Sequence, residues 1–155
     1  MSVSVSSSRT VDQVDVRGPR FAAWVTTAVL VAVLIVATFS TQAAGVLLAV
    51  QTLVFALGAV FGPRRSPYGR LFATLVAPRV GAPTETEPVP PLRFAQLVGF
   101  VFAAVGTVGF LAGAAVLGSV AAGFALFAAL LNAAFGLCLG CRIYPLVARL
   151  RPASL

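Results

Sequence analysis

FAAWVTTAVLVAVLIVATFSTQAAGVLLAVQTLVFALGAVFGP, residues 21–63, runs for 43 residues without one charged side chain. A single membrane crossing takes about 20 apolar residues at 1.5 Å rise each. The stretch is therefore too long for one span and suits two joined by a tight turn. Downstream, 48 uncharged residues separate Arg93 from Arg142. Two such runs predict an all-α membrane protein, a bundle of four transmembrane helices.

Composition agrees. Of 155 residues, 59% are hydrophobic and only 10% charged, where soluble chains carry about 25%. The net charge of +7 comes from arginines that flank apolar runs, so no polar nucleic-acid-binding domain is expected. There is no His, and the four carboxylates, Asp12, Asp15, Glu85 and Glu87, all lie outside the runs. A transition-metal or paired-carboxylate site has almost no raw material, and neither metal nor cofactor is expected.

Outward from the first run, residues 1–17 read as a flexible N-terminal tail, 18–150 as one four-span domain and 151–155 as a C-terminal tail. The spans are expected at about 21–39, 44–61, 94–115 and 120–141. The first is too long for a signal-peptide core and a second follows at once. Turns are expected at Ser40-Thr41-Gln42 and Gly118-Ser119. Gln51, polar at mid-depth, is expected to bond to another span. Gly58 and Gly62, Gly109 and Gly113, and Gly136 and Gly140 are four apart, and Gly99, Gly106 and Gly113 seven apart, as in faces of close helix approach.

Residues 63–93 form the central loop. Tyr68, Leu71, Phe72, Leu75 and Val76 recur at helical spacing among Arg64, Arg65, Arg70 and Arg79. That is the pattern of a short amphipathic helix in the membrane interface, or one packed over the helix ends. The Pro-rich stretch 81–91 is expected to be extended. All eleven arginines fall on one side of this arrangement. The positive-inside rule then puts both termini and the loop in the cytoplasm, with the chain in the cell inner (plasma) membrane. A faint internal echo is present: Arg20-Phe-Ala against Arg93-Phe-Ala, and Phe61-Gly62 against Phe135-Gly136. It suggests a duplicated hairpin.

Both cysteines, Cys138 and Cys141, lie at the end of the second run, followed by Arg142. Three readings stand. A zinc site needs four ligands, which only a dimer could complete. Two small, soft residues can simply pack a helix interface. A C-x-x-C pair can also cycle between dithiol and disulfide or carry sulfur. On an intact helix the two Cβ atoms lie about 5–6 Å apart, too far for a disulfide, so the helix must distort there. Gly140 and Pro145 permit that. Placed at the C-terminal end of span 4, the pair meets an unfavourable dipole, which Arg142 offsets as candidate thiolate stabiliser. Cys141 is expected at the interface as the attacking thiol, with Cys138 a turn deeper. Asn132, on the opposite side of the helix from Cys141, is expected to serve packing.

Three stretches together, Arg17-Gly-Pro-Arg-Phe-Ala-Ala23, Pro90-Pro-Leu-Arg-Phe-Ala-Gln96 and Asn132-Ala-Ala-Phe-Gly-Leu-Cys-Leu-Gly-Cys-Arg-Ile-Tyr144, resemble an uncharacterised bacterial integral membrane protein family, domain of unknown function 4395. The resemblance covers about residues 15–149 and is most specific in the third stretch. It departs at Leu92, which splits a Pro-Pro-Arg-Phe, and at Arg142, where an acidic residue is expected. The family's association with thioredoxin-like and sulfurtransferase proteins implies thiol or sulfur chemistry with such a partner. The other class of function is a non-catalytic membrane scaffold whose cysteines only pack.

The one-sided arginines generate a topology prediction. Reporter fusions at Gln42 and Ser119 should read the outer side, and fusions at Glu85 and the C-terminus the cytoplasm. Cytoplasmic reporting at Ser119 breaks the arrangement.

Overall fold

The computed structural model describes residues 11–150. Four helices are long and apolar enough to cross a membrane: α1 (Arg17–Ala37), α2 (Thr41–Phe61), α5 (Val89–Leu111) and α6 (Ala115–Phe135). A broken helical segment joins α2 to α5. It consists of α3 (Pro67–Leu71), a π-helical turn (Phe72–Val76) and α4 (Ala77–Val80). A seventh helix, α7 (Leu139–Leu150), follows α6.

The order around the bundle is α1, α2, α5, α6, with α1 against α6 and α2 against α5. Small residues set the spacing. A Cβ on Gly99 would meet the ring of Phe55, one on Gly106 would meet Leu48, and one on Gly109 would come within 2.8 Å of the Gly118 amide. Leu30, Val33, Ala44, Leu48, Ala103, Phe110 and Ala122 fill the half nearest the two short turns. The outer faces stay apolar: Val50, Leu53, Val105, Val108 and Phe127 are all exposed. A row of such side chains needs a hydrocarbon environment.

Each turn follows local chemistry. Ser40 caps α2, its hydroxyl accepting from the Ala43 amide at 3.1 Å. The second turn lies at residues 112–114, where Gly113 takes a positive φ of 83°, and not at Gly118-Ser119. Gly118 is instead buried inside α6, close under the Phe110 ring. The two glycine roles, positive φ and close approach, are indistinguishable by spacing alone. Gly62 and Gly136 end α2 and α6 with positive φ and so do not belong to packing faces.

The N-terminal reading changes too. Residues 1–10 of the expected tail, and 151–155 of the other, lie outside the described residues. From Gln13 the chain is ordered: β1 (Gln13–Asp15) pairs antiparallel with β2 (Thr86–Pro88), inside the stretch expected to be merely extended. Arg17 binds Asp15 and donates to the carbonyls of Val80 (2.9 Å) and Gly81 (3.0 Å). The start of α1 is thereby fastened to the end of α4.

In the loop, the amphipathic stripe divides. Phe72 is buried against Phe21, while Leu71 and Leu75 face outward. Gln51, 1% exposed, finds its partner in this segment rather than on another span: Tyr68 donates to its Oε1 at 2.6 Å.

The sequence echo has a structural counterpart. Strand β2 begins 73 residues after β1, and the pair centres on Val14↔Glu87, also 73 apart. An antiparallel pair of this kind straddles a two-fold axis. Arg20 donates to Ala133 O at the end of α6 (3.5 Å), and Arg93 donates to Ala59 O (2.9 Å) and Val60 O (2.7 Å) at the end of α2. The contacts interchange when α1–α2 is swapped with α5–α6, as in a parallel repeat.

Close backbone approach at Gly109 has a measurable consequence. Gly109→Val should lower stability by about 2 kcal/mol through overpacking, read as a lower thermal midpoint in detergent. Gly123→Ala, whose Cβ meets nothing within 4 Å, should stay within about 0.5 kcal/mol of the parent. Equal losses in both would contradict the packing described.

Candidate functional site: a disulfide at the wall of an apolar cavity

Helix α6 stops at Gly136, whose left-handed backbone (φ 66°, ψ 20°) no β-branched residue tolerates well. Its amide still reaches Asn132 O at 3.0 Å, and the Leu137 amide reaches Leu131 O at 3.2 Å. These two bonds close the helix, and the chain restarts as α7 at Leu139. The expected single span over 120–141 is therefore two helices with a break at 136–138. The cysteines do not sit at a helix C-terminus. They open a new helix.

This reverses the electrostatics read from the sequence. Cys138 immediately precedes α7, and its Sγ accepts the Cys141 amide at 3.2 Å. A helix N-terminus and a backbone N–H both favour negative charge on that sulfur. Cys138 and Cys141 form a disulfide, their Cα atoms 5.2 Å apart. Because Cys138 lies outside the helix, the bond needs no distortion within it. The same local device occurs in the first hairpin: Gly62 ends α2, and the Ser66 hydroxyl accepts from the Gly69 amide at 3.1 Å to start α3.

Helix α7 is pressed onto α5. A Cβ on Gly140 would lie 2.6 Å from the Ala95 Cα, so only glycine allows this approach. The Tyr144 ring lies 5.9 Å from that of Phe94. Arg142 is exposed, and its side chain makes no hydrogen bond among the described residues. Pro145, inside α7, cannot donate to the Cys141 carbonyl.

In the half of the bundle that bears the arginines, the helices enclose a cavity of about 640 Å³, within the ordinary range for ligand sites. It extends along α1 from Gly18 to Thr26, a depth of about 12 Å. Phe55, Phe72, Leu92, Phe102, Phe124 and Ala129 give it a mostly apolar wall. Cys138 is part of that wall, and Cys141 is not. Thr26, Gln96 and Asn132 add polar groups. Asn132 thus shares the cavity with Cys138. Phe102 and Phe124, 5.8 Å apart, line the cavity and remain exposed, as does Phe127.

Charge gathers at the mouth. Arg64 and Asp15 line it. The Arg17 guanidinium holds the Asp15 carboxyl below its ordinary range, and burial raises that of Glu87 in β2. Among the described residues no three of His, Cys, Asp and Glu gather into a possible metal cluster.

Fold and site together define a four-span helical membrane protein with a disulfide whose Cys138 lies in the wall of a partly open apolar cavity. The chain matches the family described as domain of unknown function DUF4395 over residues 14–149, and belongs to it. No curated protein and no solved structure matches it.

The placement of the two sulfurs makes a prediction about access. After reduction, a bulky charged maleimide should label Cys141 about tenfold faster than Cys138. A small membrane-permeant maleimide should narrow or reverse the ratio, because it reaches Cys138 through the apolar cavity. Equal labelling by both reagents would place the two sulfurs in one environment.

Proposed function

We propose that this protein is a thiol protein of the cell inner (plasma) membrane with both termini in the cytoplasm. Its Cys138–Cys141 pair faces the cytoplasm and exchanges electrons or sulfur with a soluble thioredoxin-like or sulfurtransferase partner. One observation carries the reading: the pair is a disulfide at the opening of a helix, with the Cys141 amide on Cys138 Sγ.

That geometry supports different work for the two sulfurs. A partner thiolate attacks Cys141 Sγ, the S–S bond breaks, and its electron pair leaves on Cys138 Sγ. A better-stabilised thiolate leaves faster, and Cys138 is the sulfur that the helix N-terminus stabilises. The partner's second thiolate then displaces Cys141, so the partner gains a disulfide and the pair becomes a dithiol. For a sulfurtransferase, the Cys141 thiolate attacks the terminal sulfur of a partner persulfide, becoming a persulfide as the partner thiolate departs. Arg142, next to Cys141, supplies positive charge for an approaching thiolate.

Cys138→Ser removes the resolving thiol. It should accumulate a mixed disulfide between Cys141 and a thioredoxin-like partner, visible on non-reducing gels. Cys141→Ser should accumulate far less. If the double Cys→Ser protein keeps full function in its host, the cysteines only pack and the scaffold reading replaces this one.

A further inference from the structure

A dithiol formed by one partner has to be reoxidised by another, and the site has two faces. Cys141 lies off the cavity, beside exposed Arg142; Cys138 lies in the cavity wall. We infer that the cavity binds a lipid-soluble quinone, which takes two electrons from the Cys138–Cys141 dithiol. This rests on the thiol reading above and names its second substrate.

Three features select that chemistry. The wall is dominated by aliphatic and aromatic side chains, so the ligand is apolar over most of its surface. The exposed rings of Phe102, Phe124 and Phe127 rim the wall on α5 and α6, helices whose outer faces suit lipid, so a membrane-dissolved ligand can enter sideways. Gln96 and Asn132 line the cavity and have no side-chain hydrogen bond among the described residues. Their amide N–H groups suit the carbonyl oxygens of a quinone. A fatty acyl chain would satisfy the apolar wall but neither amide, and it accepts no electrons.

The step balances. The Cys138 thiolate adds to a quinone ring carbon, forming a C–S bond. The Cys141 thiolate then attacks Cys138 Sγ; the S–S bond forms, the C–S bond breaks, and its electron pair returns to the ring. Two protons, those lost by the thiols, end on the quinone oxygens. The pair is oxidised to the disulfide and the quinone reduced to the hydroquinone.

The test uses the full chain, reduced, in lipid nanodiscs, with a short-chain ubiquinone analogue and menadione as probes. Dithiol loss is followed by mass spectrometry, which separates a disulfide from a simple quinone adduct, and hydroquinone by absorbance. Stoichiometric disulfide and hydroquinone are expected. Ala129→Trp, which fills the cavity, and Asn132→Leu, which removes an amide, should each slow the reaction about tenfold. That both fold is read separately, as a cooperative thermal transition in detergent like the parent's. Unchanged quinone rates in both variants would mean reaction outside the cavity and overturn the proposal. Intact dithiol exchange without quinone reduction would overturn the quinone alone. Binding is read separately, by photolabelling the double Cys→Ser protein with an azidoquinone. Labelling on α5 or α6 that the ubiquinone analogue competes away supports the site even if dithiol exchange fails, and no such labelling refutes it.

Discussion

A helix that ends near hydrocarbon must give its last carbonyls a donor, because no water is there to serve. This chain meets that demand twice in one way. Gly62 and Gly136 turn the backbone out of α2 and α6, and an arginine from the other hairpin reaches the carbonyls left behind. Arg93 serves α2, and Arg20 serves α6. Each hairpin is thus closed by its counterpart. The cation there acts as a structural donor, and the break that carries Cys138 begins where α6 is ended in this way.

The two hairpins share a device and use it differently. After each terminating glycine the chain begins a new helix with a side-chain acceptor three residues ahead of the amide it caps. In the first hairpin the acceptor is a hydroxyl, Ser66; in the second it is a sulfur, Cys138. The first helix bends through a π turn to lay Phe72 over α1. The second lies flat enough on α5 for Gly140 to touch Ala95. Strands β1 and β2 clasp the two halves near their axis. Between the halves, where neither hairpin supplies bulk, the cavity remains.

The architecture was legible because charge segregation in a membrane protein is a coarse signal that needs no contact to be known. Four spans and the loop between the second and third follow from it. What was misplaced turned on glycine. Gly113 and Gly118 differ only in φ and in what lies opposite, and neither property is local to the sequence. The same ambiguity at Gly136 put the cysteines at the end of a helix when they begin one, and the sign of the dipole followed that error. A helical wheel that sets Asn132 opposite Cys141 runs through the break at residues 136–138 and cannot show that Asn132 shares a cavity with Cys138. The β1–β2 pairing was invisible because three-residue strands carry no periodicity. The cavity was unreadable for a different reason: it is defined by volume left unfilled, and sequence records only volume present.

The site is drawn from opposite ends of the chain, and that has a bearing on the order of its synthesis. Val14, Asp15 and Gly18 are made before the rest of the cavity wall. The strand that pairs with Gln13–Asp15 comes after the first two spans and the helical segment that follows them, and α7 follows all four spans. The first hairpin therefore enters the bilayer with its future cavity wall open to lipid. The two cysteines are delivered only when the remaining walls are already in place. A chain halted at the end of α6 would hold most of the chamber wall and neither Cys138 nor Cys141, so such a product could not form this disulfide with itself or with its neighbours.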